Sequence, residues 1–179
     1  MQHNLENTIA LLTHTPAALS GFVRDLPEIW TECNEGEASW TVFDVVGHLV
    51  YAERTNWMPR VKRLLESGER RAFDTFDREG YIKESQGRSL TELLDEFARL
   101  RSASIAELRA LNFGTQDLDR RGLHPTFGPV TLSELLATWA AHDLTHLHQI
   151  TRIMAYQYRE TVGPFREFLG VMKCAPHRD

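Results

Sequence analysis

Three times along this chain a hydroxyl residue is followed three positions later by an acid, just ahead of an apolar run: Thr41 with Asp44, Ser89 with Glu92, and Thr131 with Glu134. The hydroxyl accepts from the backbone N–H of the third helical residue, and the acid reaches back to the cap, so two otherwise bare donors are satisfied together. Each pair marks a helix start. The helix opened by Ser89 carries Leu93, Phe97, Leu100, Leu108 and Leu111 on its stripe. The one opened by Thr41, with Trp40 as a hydrophobic staple, is read through Pro59 to about residue 67, and the one opened by Thr131 to about residue 159. An earlier stripe, Leu5, Ile9, Leu12, Leu19 and Val23, predicts a first helix over residues 4–23, with a kink at Pro16 and a stop at Leu26-Pro27. Gly163-Pro164 ends the fourth helix, and a short final helix is expected through Val171. Strand-type alternation is scarce. Residues 68–88 and 112–130 are rich in Gly, Pro and polar residues and read as long loops. The expectation is an all-α four-helix bundle occupying residues 1–179 as one domain, its two long connections allowing a crossover topology.

Composition bears on which partners are open. A chain of 179 residues with 42% hydrophobic residues can bury a sizeable core without staples. With 20 Lys and Arg against 25 Asp and Glu and no basic block, nucleic acid is disfavoured as a partner. Cys33 and Cys174 stand far apart outside any CxxC pattern, which reads as two free thiols in a reducing compartment. No run approaches 18 apolar residues and the first residues lack a signal-peptide pattern, so a cytoplasmic protein without a membrane partner is expected.

The chemistry is concentrated in the fourth helix. At about 100° per residue, Leu135, Trp139, His142, His146, Gln149, Ile150 and Ile153 share one face. Two imidazoles four residues apart on an apolar stripe point the same way and can hold one divalent ion. On the second helix His48 lies on the stripe of Val45, Leu49 and Ala52. A lone inward histidine is more often a core residue satisfied by a carbonyl, and the HxxxH spacing is common on solvated helices. Three imidazoles on two facing stripes are costly to bury unpaired, roughly 1 to 3 kcal/mol each, and a shared ion resolves all three. The spacing therefore points to His48, His142 and His146 as a metal site with open positions. Gln149, about 20° from His142, is placed to face the site, orient a water or pack, and Asp143, turned 100° away from His142, suits a second-sphere or interhelical bond. His3, His14 and His177 read as solvent-facing, His148, turned 200° from His146, cannot readily join the pair, and His124, ahead of a proline, reads as a turn residue that can rim a pocket. The chain has no HExxH, GxSxG or Gly-rich phosphate loop, and no general base can be named.

Two segments carry a family resemblance. Trp40-Thr41-Val42-Phe43-Asp44-Val45-Val46-Gly47-His48-Leu49 resembles the W-[ST]-x-x-[ED]-x-x-x-H-[LI] motif of the DinB superfamily, the DinB/YfiT-like metalloenzymes. Gly128-Pro129-Val130-Thr131-Leu132, followed by His142-Asp143-Leu144-Thr145-His146-Leu147-His148-Gln149-Ile150, resembles its G-x-x-[ST]-L and H-D-x-x-H-x-x-Q-[IL] motifs. The resemblance implies an up-down-down-up bundle, often a homodimer, with His48, His142 and His146 as ligands to zinc or nickel. On function it implies less: some relatives are transferases using a low-molecular-weight thiol such as bacillithiol, mycothiol or glutathione, others resemble maleylpyruvate isomerase, and many have no known activity; transfer of such a thiol to a small electrophile is the reading preferred here. A metal-dependent hydrolase and a non-catalytic metal-binding stress or interaction protein are the alternatives, since fold does not settle substrate.

Overall fold

The computed structural model describes residues 4–36 and 39–174. All three reciprocal capping boxes form, and they open α3 (Val42–Ala52), α6 (Leu90–Ala110) and α7 (Leu132–Tyr156). The first helix, α1 (Leu5–Val23), starts on the side chain of Asn4 and runs on through Pro16. A proline has no N–H to return to the carbonyl four residues earlier. Here the Leu12 carbonyl accepts instead from Arg101 Nη1 at 2.8 Å.

The second bundle helix is composite. After α3 the backbone widens into a π-helical turn, Glu53–Trp57, before α4 (Met58–Ser67). The wide turn falls just ahead of Pro59, where an α-helical bond would be lost in any case. The long connections are more structured than the sequence suggests. A short helix α2 (Glu28–Thr31) lies between α1 and α3, and α5 (Gly80–Ser85) occupies residues 68–88, where Gly47 lets Ser85 and Tyr81 approach α3 more closely than any side chain at 47 would permit. Residues 112–130 fold into a 3-10 turn, Thr115–Asp119, and an antiparallel hairpin of β1 (Arg121–His124) and β2 (Gly128–Thr131). Gly128, at φ 75°, lets the chain turn directly into β2. The expected final helix is replaced by two 3-10 segments, Gly163–Phe168 and Gly170–Lys173. The expectation that α7 reaches residue 159 is likewise corrected, because turns begin after Tyr156.

Cross-helix pairs fix the directions. Leu12 meets Arg101 while Arg24 meets Asp95, so α1 and α6 are antiparallel. Glu53 meets Arg101 and Lys62 meets Glu107, so the composite α3–α4 helix runs parallel to α6. His48 meets His142 and Trp57 stacks on Trp139, so α7 runs against α3–α4 and with α1. The result is an up-down-down-up four-helix bundle. No helix among the described residues is long and apolar enough to cross a membrane.

The core has two apolar halves separated by a polar layer. One half gathers Leu12, Trp57, Leu108, Leu136 and Trp139; the other gathers Leu19, Val45, Leu49, Phe97 and Ile150. Between them Arg101 directs its guanidinium at Glu53 (3.0 and 3.0 Å), Asp143 (2.6 and 3.0 Å) and the Leu12 carbonyl, and Trp139 Nε1 donates to Glu53 at 3.2 Å. All three charged side chains are almost wholly buried. The two carboxylates hold the guanidinium pKa above its ordinary value against the opposing effect of burial. Removing the cation strands two buried carboxylates, so Arg101→Met is expected to cost about 3–5 kcal/mol in urea denaturation. Arg24→Met, which removes the partly exposed pair with Asp95, is expected to cost less than about 1 kcal/mol.

Candidate metal centre and its cavity

His48 is set on α3 by the Thr41–Asp44 cap seven residues before it, and its neighbours Val45, Leu49 and Ala52 are buried with it. On α7, His142 and His146 lie one turn apart. Their Nε2 atoms converge: His48 to His142 and His142 to His146 are each 3.1 Å. Nitrogens held about 2.0–2.1 Å from one tetrahedral ion stand about 3.3 Å apart, so the cluster has the spacing of a metal-ligand set. Gln149 Oε1 lies 2.8 Å from His146 Nδ1 and, as a pure acceptor, requires the ring proton there; the Nε2 lone pair of His146 therefore faces the cluster. Burial, then the neighbouring His146 and Arg78, hold the His48 pKa down at about 3, so His48 is neutral at physiological pH and its ring can offer a lone pair.

Aromatic rings wall the cluster. Trp40 packs at 4.8 Å from His48 and 6.2 Å from His146, Phe76 meets His48 edge-on at 5.6 Å, and Trp57 meets His142 edge-on at 5.0 Å. Trp57 in turn stacks on Trp139, so the centre rests directly on the buried Arg101 layer.

Above the histidines opens a cavity of about 390 Å³. The chain between α4 and α5 contributes Thr75, Phe76 and Arg78, the hairpin contributes His124 and Phe127, and the composite helix contributes Asn56 and Arg60. No carboxylate is among the described residues that line it. Asn56 is buried and its Oδ1 has no hydrogen-bond partner.

A sequence model of the DinB superfamily matches residues 11–150, a span that holds all three histidines and both motifs. The chain belongs to the DinB superfamily. No curated protein matches it. Among solved structures, YfiT from Bacillus subtilis, described as a probable metal-dependent hydrolase with an unusual four-helix bundle topology, is similar with a TM-score of 0.73. The two chains are 24% identical over 90% of each, which establishes a shared fold.

The three histidines singled out from spacing are thus brought together. His14 and His148 are exposed, while His3 and His177 lie outside the described residues. Asp143 makes the interhelical bond, with Arg101, and Gln149 braces His146. His124 is both turn residue and cavity wall. Asn56, Arg60 and Arg78 escape the sequence reading. Asn56 lies within the π-turn and Arg60 follows it, so the helical phase is shifted at both, and Arg78 sits in a connection without periodicity.

The depressed His48 pKa has a consequence for stability. In the unfolded chain this histidine takes a proton near pH 6.5, whereas in the metal-free fold it refuses one until about pH 3. The unfolded state therefore binds the extra proton, and stability falls as pH drops through that window, by up to about 1.4 kcal/mol per pH unit from this group. Urea denaturation of the metal-free protein between pH 7.5 and 4.5 is expected to show a steeper loss in wild type than in His48→Asn; equal slopes would contradict the burial account.

Proposed function

We propose that this chain is a divalent-metal-dependent enzyme in which His48, His142 and His146 hold the ion, and that it is a low-molecular-weight-thiol S-transferase acting on small electrophiles. The observation that carries this reading is the convergence of three imidazole Nε2 atoms on the floor of a cavity whose described lining contains no carboxylate. A divalent ion in that position supplies Lewis acidity that lowers the pKa of a thiol or water brought to it. The protein's own contributions are distinct. Gln149 fixes the tautomer and orientation of His146, and burial keeps His48 unprotonated. Trp40 and Phe76 exclude water from the His48 ring and leave an apolar wall for a substrate body. Arg60 and Arg78 give the cavity a positive field, which favours an anionic sulfur over its protonated form.

A thiol needs only to lose its proton, whereas a water nucleophile is normally helped by a carboxylate base, and the described lining of the cavity offers none. A metal-dependent hydrolase is the second reading, favoured by the likeness to YfiT and its description. Zinc or nickel suits a set of imidazoles.

Metal analysis of protein purified without an affinity tag tests the site. His48→Ala, His142→Ala and His146→Ala are each expected to lose stoichiometric zinc or nickel, while His14→Ala and His148→Ala keep it. Metal retained by His48→Ala would remove the cross-helix site. For the activity, the cobalt form is titrated with bacillithiol, mycothiol, glutathione and coenzyme A. The cognate thiol is expected to raise a sulfur-to-metal charge-transfer band in the near ultraviolet. A spectrum moved by none of them, together with turnover of an ester, would replace transfer by hydrolysis.

A further inference from the structure

The hairpin side of the cavity holds two hydrogen-bond donors facing one another. His124 Nδ1 lies 3.2 Å from the backbone nitrogen of Thr126 and 3.3 Å from that of Phe127, and both can only donate, so Nδ1 carries the lone pair. The ring proton is therefore on Nε2. That Nε2–H looks at Arg60 Nη1, 3.4 Å away, and a guanidinium has no acceptor to offer it. Two N–H groups at this separation lack an acceptor between them.

Nothing nearby among the described residues supplies one. Arg60 makes no ion pair among the described residues, and its other terminal nitrogen donates to the Asp74 carbonyl at 3.4 Å. The Asp74 carboxylate is engaged on both oxygens by Arg63, at 2.7 and 2.6 Å. Arg60 is partly buried over the Phe73 ring, 5.5 Å from its centroid, and burial lowers its pKa while nearby Asp74 opposes that. His124 is held flat on Phe127, with ring centroids 4.7 Å apart, and burial and Arg60 favour its neutral form.

We propose that Arg60 and His124 form a carboxylate-binding subsite, and that the substrate of this cavity is a small carboxylic acid with an apolar body. One anionic oxygen accepts from Arg60 Nη1–H and His124 Nε2–H together, which a neutral amide oxygen does less strongly. The apolar body lies along Phe76 and Phe127, which line the same cavity. This inference rests on the proposed function only in taking the cavity as the substrate's, and it assigns no role to a metal.

The test uses metal-free full-length protein, where a carboxylate has no ion to bind, so it stands whether or not the metal reading does. Phenylacetate and its neutral isostere phenylacetamide are titrated while side-chain nitrogen NMR resonances are followed. Phenylacetate is expected to shift the His124 Nε2–H and Arg60 Nε–H signals and to bind at least about tenfold more tightly than the amide, the worth of one charge-assisted hydrogen bond. Arg60→Gln is expected to erase that preference and Arg60→Lys to retain part of it. The free protein should also show His124 unprotonated at Nδ1, a readout that no variant's folding can obscure. Equal binding of acid and amide, no binding of phenylacetate, an undiminished preference in Arg60→Gln, or a proton on His124 Nδ1 would each overturn the subsite.

Discussion

A single buried guanidinium ties the four long helices together. Arg101 on α6 binds the Leu12 carbonyl of α1, Glu53 of the π-turn and Asp143 of α7, and every one of its donors is used. Bringing three charges into the interior is tolerable only because the geometry is bidentate on both sides and two aromatic neighbours, Phe97 and Trp139, present ring faces to the cation at 4.8 and 5.4 Å. The arrangement is directional, so it sets register. A slide of one helix past another would strand a charge in the core, whereas apolar packing alone would tolerate it. Pro16 belongs to the same design, since it frees the Leu12 carbonyl that Arg101 takes up.

The metal centre inherits its precision from that layer. Asp143 immediately follows His142 on α7, and Trp139, which bonds Glu53, lies one turn before it. Glu53 is five residues beyond His48 on the facing helix. The ion pair therefore fixes the relative height of α3 and α7 at the level where three imidazoles must meet within a few tenths of an ångström. The π-turn then serves both sides of the bundle, since Glu53 enters the core while Asn56 and, in the next turn, Arg60 reach the cavity. In a regular α-helix positions 53, 56 and 60, spaced by three and then four residues, would all fall on one face.

Much of this was legible in the sequence. Capping boxes located three of the four long helices because their signal is local, a hydroxyl and an acid three residues apart. His48, His142 and His146 stood out because a polar side chain on an apolar stripe is expensive without a partner. The same signal was available for Arg101, which falls in step with Leu93, Phe97, Ile105 and Leu108. The π-turn left no local trace apart from Pro59. The hairpin strands are four residues each, too short for alternation to register, and the hairpin lies against residues 72 and 73, with the Phe73 N–H donating to the Leu123 carbonyl. Gly122 permits that contact, since a side chain there would meet the Phe73 ring. Such tertiary requirements are invisible until the chain is folded.

The central claim is that three imidazoles from two helices hold one divalent ion and leave at least one position free. X-ray absorption at the metal edge of protein loaded with one equivalent of zinc reads this directly. The account predicts three imidazole nitrogens at about 2.0–2.1 Å, with the multiple-scattering signature of their rings and a light, exchangeable donor completing the shell. A first shell containing cysteine sulfur, or one with fewer than three imidazoles, would contradict it.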